Sequence, residues 1–218
     1  MFKIIESSSA GNCFKYGKLM IDIGLPYSKT KEHLEDVTHI LLTHIHGDHL
    51  NMTTIRKIFV ANEDIKFVCG QWLIEKLVKS GVDRDRILLI EFGKVYQLGD
   101  YKISPIIAYH DVENCGYRIV FEGKKHLHIT DICTLDGIEA KGYDSASIEC
   151  NHERTRALEL IEEAKDNDEF SHLKGAMNSH LSVDKTIQFC KDNGIKKLYP
   201  VHIGSSTKKE VISALKRW

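Results

Sequence analysis

The segment His44-Ile45-His46-Gly47-Asp48-His49 puts three imidazoles and a carboxylate into six residues, directly after the apolar run Ile40-Leu41-Leu42. Histidines this close repel one another when protonated and waste hydrogen-bonding capacity when buried, so a purely structural role explains them poorly. Neutral imidazole nitrogen and carboxylate oxygen together suit Zn²⁺ or Mn²⁺. Alternate residues of an extended chain face the same way, so His44 and His46 can share one metal while the following turn aims Asp48 and His49 at another. The spacing predicts two divalent cations, Zn²⁺ or Mn²⁺.

Such a cluster needs a rigid edge to carry it. Short β-branched or apolar runs over Phe2 to Glu6, Cys13 to Tyr16, Leu19 to Ile23 and His39 to Thr43 read as strands, expected to pair as a meander. Gly11-Asn12 and Gly17-Lys18 punctuate them as turns. Helices are expected over Asn51 to Val60 and Gln71 to Lys79. Strands return over Ile87 to Ile90, Lys102 to Ala108, Tyr117 to Phe121 and His126 to Thr130, suggesting a second sheet. Helical spacing recurs over Arg154 to Lys165, Val183 to Cys190 and Lys208 to Trp218. Grouped strands with interspersed helices predict a layered α/β sandwich, helices outside two sheets.

The 218 residues can bury one substantial core, so a single domain over 1–218 is expected. Hydrophobic residues at 42% and charged residues at 28% exclude a disordered chain. The start, Met1-Phe2-Lys3-Ile4-Ile5-Glu6, lacks signal-peptide character and no apolar run reaches membrane-spanning length, so the expectation is cytoplasmic with no membrane partner. Cys13, Cys69, Cys115, Cys133, Cys150 and Cys190 form no C-x-x-C pair, which argues against a zinc ribbon or disulfide framework and for buried thiols. Lys plus Arg at 30 against Asp plus Glu at 31 gives no global signature of nucleic-acid binding. The pairs Lys124-Lys125, Lys196-Lys197 and Lys208-Lys209 are short enough to be ordinary solvated surface.

The run Thr43-His44-Ile45-His46-Gly47-Asp48-His49 resembles the T-H-x-H-x-D-H signature of the metallo-β-lactamase superfamily. The resemblance implies a four-layer αββα sandwich, two mixed β-sheets packed face to face with helices outside. Having both Asp48 and His49 resembles the dinuclear branch that includes phosphodiesterases, ribonuclease Z and glyoxalase II. It further implies His110, in Tyr109-His110-Asp111, as third histidine to the His44/His46 metal, and His202, in Val201-His202-Ile203-Gly204, beside Asp48 and His49. Asp131, in Ile129-Thr130-Asp131, resembles the bridging carboxylate, and Asp22, in Ile21-Asp22-Ile23-Gly24, the strand-end aspartate that orients a ligand histidine. His33, His39, His126, His128 and His172 match no such position and read as structural or exposed.

Reaction class has to come from the residues around the metals. Glu149-Cys150-Asn151-His152 and His180-Leu181-Ser182 resemble the E-x-N-H and H-L-S elements of ribonuclease Z and YycJ-like phosphodiesterases. The resemblance implies Asp48, His180 and Glu149 as catalytic residues, with His180, held by Glu149, as general acid to the leaving oxygen. A metal-bridging hydroxide would attack phosphorus. Ser7-Ser8-Ser9-Ala10-Gly11-Asn12, Ile21-Asp22-Ile23-Gly24-Leu25 and His110-Asp111-Val112-Glu113 with Gly116-Tyr117 narrow the likeness to YycJ-like proteins, associated with DNA exonuclease activity. Ser8 departs from the first loop glycine, and the chain is shorter than such proteins are expected to be. No segment resembles a tRNA-grasping arm, which disfavours tRNA processing. The expected partner is a nucleic-acid or nucleotide phosphodiester, and a homodimer is compatible. Three alternatives stay open: a cyclic-nucleotide or other small-nucleotide phosphodiesterase, a glyoxalase II-like thioesterase or lactonase, and a non-catalytic metal-binding protein.

Overall fold

The computed structural model describes residues 2–218. The first sheet runs β1 (Phe2–Ser8), β2 (Gly11–Tyr16), β3 (Leu19–Ile21), β4 (His39–Leu41), β5 (Lys66–Cys69) and β6 (Ile87–Leu89), paired in that order. The second contains β7 (Tyr96–Leu98), β8 (Tyr101–Ile107), β9 (Cys115–Phe121), β10 (Lys124–Ile129), β11 (Ser145–Glu149) and β12 (Leu198–Val201), again side by side. Both sheets are mixed. The meander expected of the first four strands holds only through β3. β4 pairs parallel to β3, because the connection between them, containing the single turn α1 (Tyr27–Thr30), is long enough for a crossover.

Alternation along the strands sorts the core into layers. Leu41 joins Phe14, Ile21, Ile103, Tyr117 and Ile119 between the sheets. Its neighbours Ile40 and Leu42 face outward, against Ile55 and Ile58 of α2 (Met52–Ala61) and Leu73 and Leu77 of α3 (Gln71–Lys79). On the far side, Leu127, Ile129, Ala146 and Ile148 pack on Phe189 and Cys190. The outer helices there are α4 (Arg154–Asp166), α5 (Leu173–Ser179), α6 (Val183–Asn193) and α7 (Lys208–Arg217). The result is the expected αββα sandwich. Asn51, expected to begin α2, instead caps it, its side chain accepting from Thr54 N at 3.1 Å. Among the described residues no helix is long and apolar enough to cross a membrane. All six cysteines are free thiols, and only Cys133 is less than fully buried.

His126 and His128 are buried in the inner layer, away from the histidine cluster. His126 hydrogen-bonds Ser145 and Ser147 at 2.8 and 2.9 Å through its two ring nitrogens and stacks on Phe2 and Tyr16. Burial pushes its pKa from the ordinary 6.5 down to about 3. The folded protein therefore resists a proton that the unfolded chain accepts below pH 6.5. Its contribution to stability is complete above that value and falls by about 1.4 kcal/mol per pH unit below it, until about pH 3. Replacing His126 with Gln should flatten this acid limb, as read from urea midpoints between pH 4 and 7 at matched metal content. An unchanged slope would show that His126 does not carry it.

Candidate metal centre

β3 and β4 run parallel, as do β10, β11 and β12, so their C-terminal ends gather at one edge of the sandwich. Asp22 follows β3, Thr43 to His49 follow β4, Asp131 follows β10, Glu149 ends β11 and His202 follows β12. His110 lies just past β8, and His180 caps the C-terminus of α5. Asp22, Asp131 and His202 all adopt left-handed backbone, with φ of 56, 51 and 51°. This conformation costs energy for residues other than glycine and persists where the surroundings over-determine it. Here it turns each side chain off its strand end and into the cluster.

His44, His46 and His110 offer ligand atoms within 4.8 Å of one another, and so do Asp48, His49 and His202. Asp131 stands between the two groups. Its carboxylate is 3.0 Å from His49 Nε2, 3.4 Å from His202 Nε2 and 3.9 Å from His110 Nε2. The structure thus gathers every ligand position that the resemblance implied.

The hydrogen bonds orient these rings for cation binding. Asp22 is fully buried and accepts from Thr43 N at 2.9 Å and from His49 Nδ1 at 2.7 Å. His110 Nδ1 donates to the Ser179 carbonyl at 3.2 Å. Each contact places the ring proton on Nδ1 and turns the Nε2 lone pair inward. Burial pushes the His44 pKa down to about 2 and lowers that of His110. Burial opposes the Asp131 charge, yet His49, His202 and His44 outweigh it and hold the carboxyl well below its usual range. His44 and His110 are thus held neutral beside an ionised carboxylate, whereas burial at His49 is outweighed by Asp131 and Asp22, which raise its pKa. A divalent cation would displace that His49 proton on binding.

The fit can be checked on unpartnered atoms. His44 Nε2 is buried with no hydrogen-bond partner, and so is His110 Nε2, whose approach to Asp111 Oδ1 at 3.0 Å is out of line for a hydrogen bond. A buried imidazole nitrogen left bare is costly, and a cation at the centre of His44, His46 and His110 would satisfy both. The clusters suit one or two divalent ions.

Glu149 is completely buried. Oε2 accepts from Asp131 N at 3.0 Å and His180 Nδ1 at 3.0 Å, and Oε1 accepts from Ile132 N at 3.3 Å and Leu181 N. His180 Nδ1 also lies 3.7 Å from Asp131. Burial disfavours a charged His180, but the Glu149 carboxylate outweighs it and raises the pKa. An imidazole fixed by a buried carboxylate, with its pKa raised above the ordinary histidine value, therefore borders the cluster.

Residues with no role in the sequence reading complete the site. Asn12 Nδ2 is 3.1 Å from Asp48 Oδ2 and 2.8 Å from His49 Nε2. Ser7 Oγ accepts from His202 N at 2.7 Å and donates to Asn12 Oδ1 at 3.2 Å, joining the two sheets at the cluster. Asp111 Oδ1 lies 3.5 Å from His46 Nε2. The signals were the Ser7-to-Asn12 loop and the aspartate after His110. His33, His39, His126, His128 and His172 belong to none of the ligand groups.

Fold and site together define a metal-dependent hydrolase. The chain belongs to the beta-lactamase superfamily, whose domain model matches residues 22–203. It is 29% identical over 172 residues to Exodeoxyribonuclease WalJ of Streptococcus pneumoniae, covering 70% of this chain and 62% of that protein. To Exodeoxyribonuclease YycJ of Bacillus anthracis it is 24% identical over 170 residues, covering 70% and 63%. The chain therefore spans less than two thirds of the length of these curated relatives. The crystal structure of the metallo-beta-lactamase fold protein YhfI from Bacillus subtilis superimposes with a TM-score of 0.76 at 17% identity, over 99% of this chain and 91% of that one.

Proposed function

We propose that residues 1–218 act as one folded unit, a dinuclear metal-dependent phosphodiesterase whose substrate is a nucleic acid, with exonucleolytic cleavage of DNA as the leading form. The observation that carries this reading is His180, fixed by buried Glu149 at 3.0 Å beside the Asp131 carboxylate. Carbonyl esters and thioesters with good leaving groups make little use of such a group. A nucleotide alkoxide leaves poorly and needs a proton.

His44, His46 and His110 would hold one cation, Asp48, His49 and His202 the other, and Asp131 both. When bound, Zn²⁺ or Mn²⁺ supplies Lewis acidity that activates water and neutralises charge on the phosphoryl oxygens. Asp22 keeps His49 in one tautomer. Glu149 holds His180 Nδ1, leaving Nε2 to deliver a proton to the departing oxygen. The names of the curated relatives support a DNA substrate.

The balanced charge, 30 basic against 31 acidic residues, favours a second reading, a small-nucleotide phosphodiesterase that needs a pocket rather than a phosphate track. Metal-reconstituted protein and an Asp131→Ala control should be assayed on single-stranded DNA, duplex DNA, RNA, cyclic nucleotides and a thioester. The expected result is phosphodiester cleavage that the variant loses. Thioester turnover without phosphodiester cleavage would overturn the reading. A salt series separates the two forms, since polymer binding weakens steeply with salt and small-ligand binding only slightly.

A further inference from the structure

A cleft of about 290 Å³ adjoins the metal centre through His110, and its walls are Trp72, Phe92, Ile107 and Tyr109. Trp72 is pinned: its indole N–H donates to Thr43 O at 3.1 Å, immediately before His44. Its ring also occupies the space beside Gly70, where a Cβ would come within 2.2 Å of it. Phe92 stacks on Trp72 with ring centroids 5.8 Å apart and planes 16° apart, yet remains 42% exposed. Tyr109 is 55% exposed and Ile107 45%. Past Phe92 and Tyr109 the cleft continues into a second recess of about 450 Å³ that reaches Arg118, whose Nε is buried without a hydrogen-bond partner.

Exposed aromatic faces gathered at the rim of a reactive site mark a binding surface rather than core. The occupant has to be joined to the reacting phosphate, because the cleft and the metal pocket share His110. It is not a phosphate, since the walls are apolar and Glu113 lines the cleft. A flat, uncharged group with N–H donors fits aromatic walls and a carboxylate rim. We propose that this cleft receives the unpaired base of the nucleotide flanking the scissile phosphate, Phe92 and Tyr109 supplying the stacking faces. This rests on the phosphodiesterase reading and adds a requirement to it: the base leaves its duplex stack before its phosphate is cut. Stacking on aromatic side chains tolerates any base, so the cleft confers little sequence preference.

The test uses Trp72 as reporter. The chain has two tryptophans, so a Trp218→Phe background isolates it. Metal-loaded protein would be titrated with the dinucleotide dTpdT and with its abasic counterpart lacking both bases, since each of them flanks the single phosphate. The thymine dinucleotide should change Trp72 emission and the abasic one should not. Phe92→Ala and Tyr109→Ala should each raise KM for dTpdT about tenfold, leave KM for the abasic substrate unchanged, and leave kcat nearly so. Phe92→Trp, assayed by KM, should restore binding. Equal KM for the two dinucleotides, or no response to either alanine variant, overturns the base site. If wild-type protein cleaves both dinucleotides equally, only the base site fails and the phosphodiesterase reading stands. If it cleaves neither while dTpdT alone still perturbs Trp72, the reaction is misassigned and the base site stands.

Discussion

Replacing His180 with alanine is expected to lower kcat on a dinucleotide by about 10² to 10⁴-fold, and to leave hydrolysis of a nitrophenyl phosphodiester far less affected. The difference lies in the leaving group. A nucleoside alkoxide must be protonated as it departs, whereas nitrophenolate leaves as the anion. His180 is placed for this task by one carboxylate, and its remaining nitrogen is free to face a substrate. Glu149→Gln is a poorer probe. The Glu149 carboxylate accepts from three backbone N–H groups and His180, and an amide turned either way aims its NH₂ at two of these donors. That variant should lose stability as well as rate. Equal losses for both leaving groups in His180→Ala would show that the residue only shapes the site.

The second large effect is expected at Gly24. A Cβ there would sit 1.7 Å from the Asp48 carbonyl oxygen and 2.6 Å from Asn12 N. Neither can retreat, because Asn12 N donates to Asp48 O at 2.6 Å and Gly24 N to Asn12 O at 2.9 Å. Ile23 N adds a bond to His49 O at 2.9 Å, and Asn51 N one to Ile23 O at 2.7 Å. The backbone after β3 is thus stitched to the loop that carries Asp48 and His49. Gly24→Ala should cost about 3 kcal/mol or more and release metal with it. Gly47 is the control, because a Cβ there meets nothing within 4 Å. Gly47→Ala should fold and load metal as wild type does. Urea midpoints and metal content of the two variants decide the matter, and equal values would contradict the packing argument.

His44 to His49 could be read without any structure because the ligands are contiguous and no ordinary packing explains them. Asp22, His110, Asp131 and His202 could not be read that way. Each is one polar residue after a strand, and only a resemblance over the whole chain singled them out. Asn12 and Ser7 act through contacts made 36 and 195 residues away, so the loop's resemblance marked the segment without giving either residue a role. Among the strands, β11 escaped notice because Ser145-Ala146-Ser147 lacks β-branched residues. Its serines are instead matched to His126 and His128 on β10. β12 contains Pro200, which argues against a central strand, and the sheet places it at an edge where proline is tolerated. The base cleft was equally hidden, since Trp72, Phe92 and Tyr109 meet only when α3 and the segments after β6 and β8 fold against one another.

The proposed chemistry requires that this cluster bind two cations. The direct measurement is elemental analysis of protein saturated with Zn²⁺, or separately with Mn²⁺, and dialysed free of excess. About two ions per chain are predicted, about one in His46→Ala, which disrupts only the His44, His46 and His110 group, and fewer than two in Asp131→Ala. A wild-type chain that retains no ion, or an Asp131→Ala chain that retains both, would contradict it.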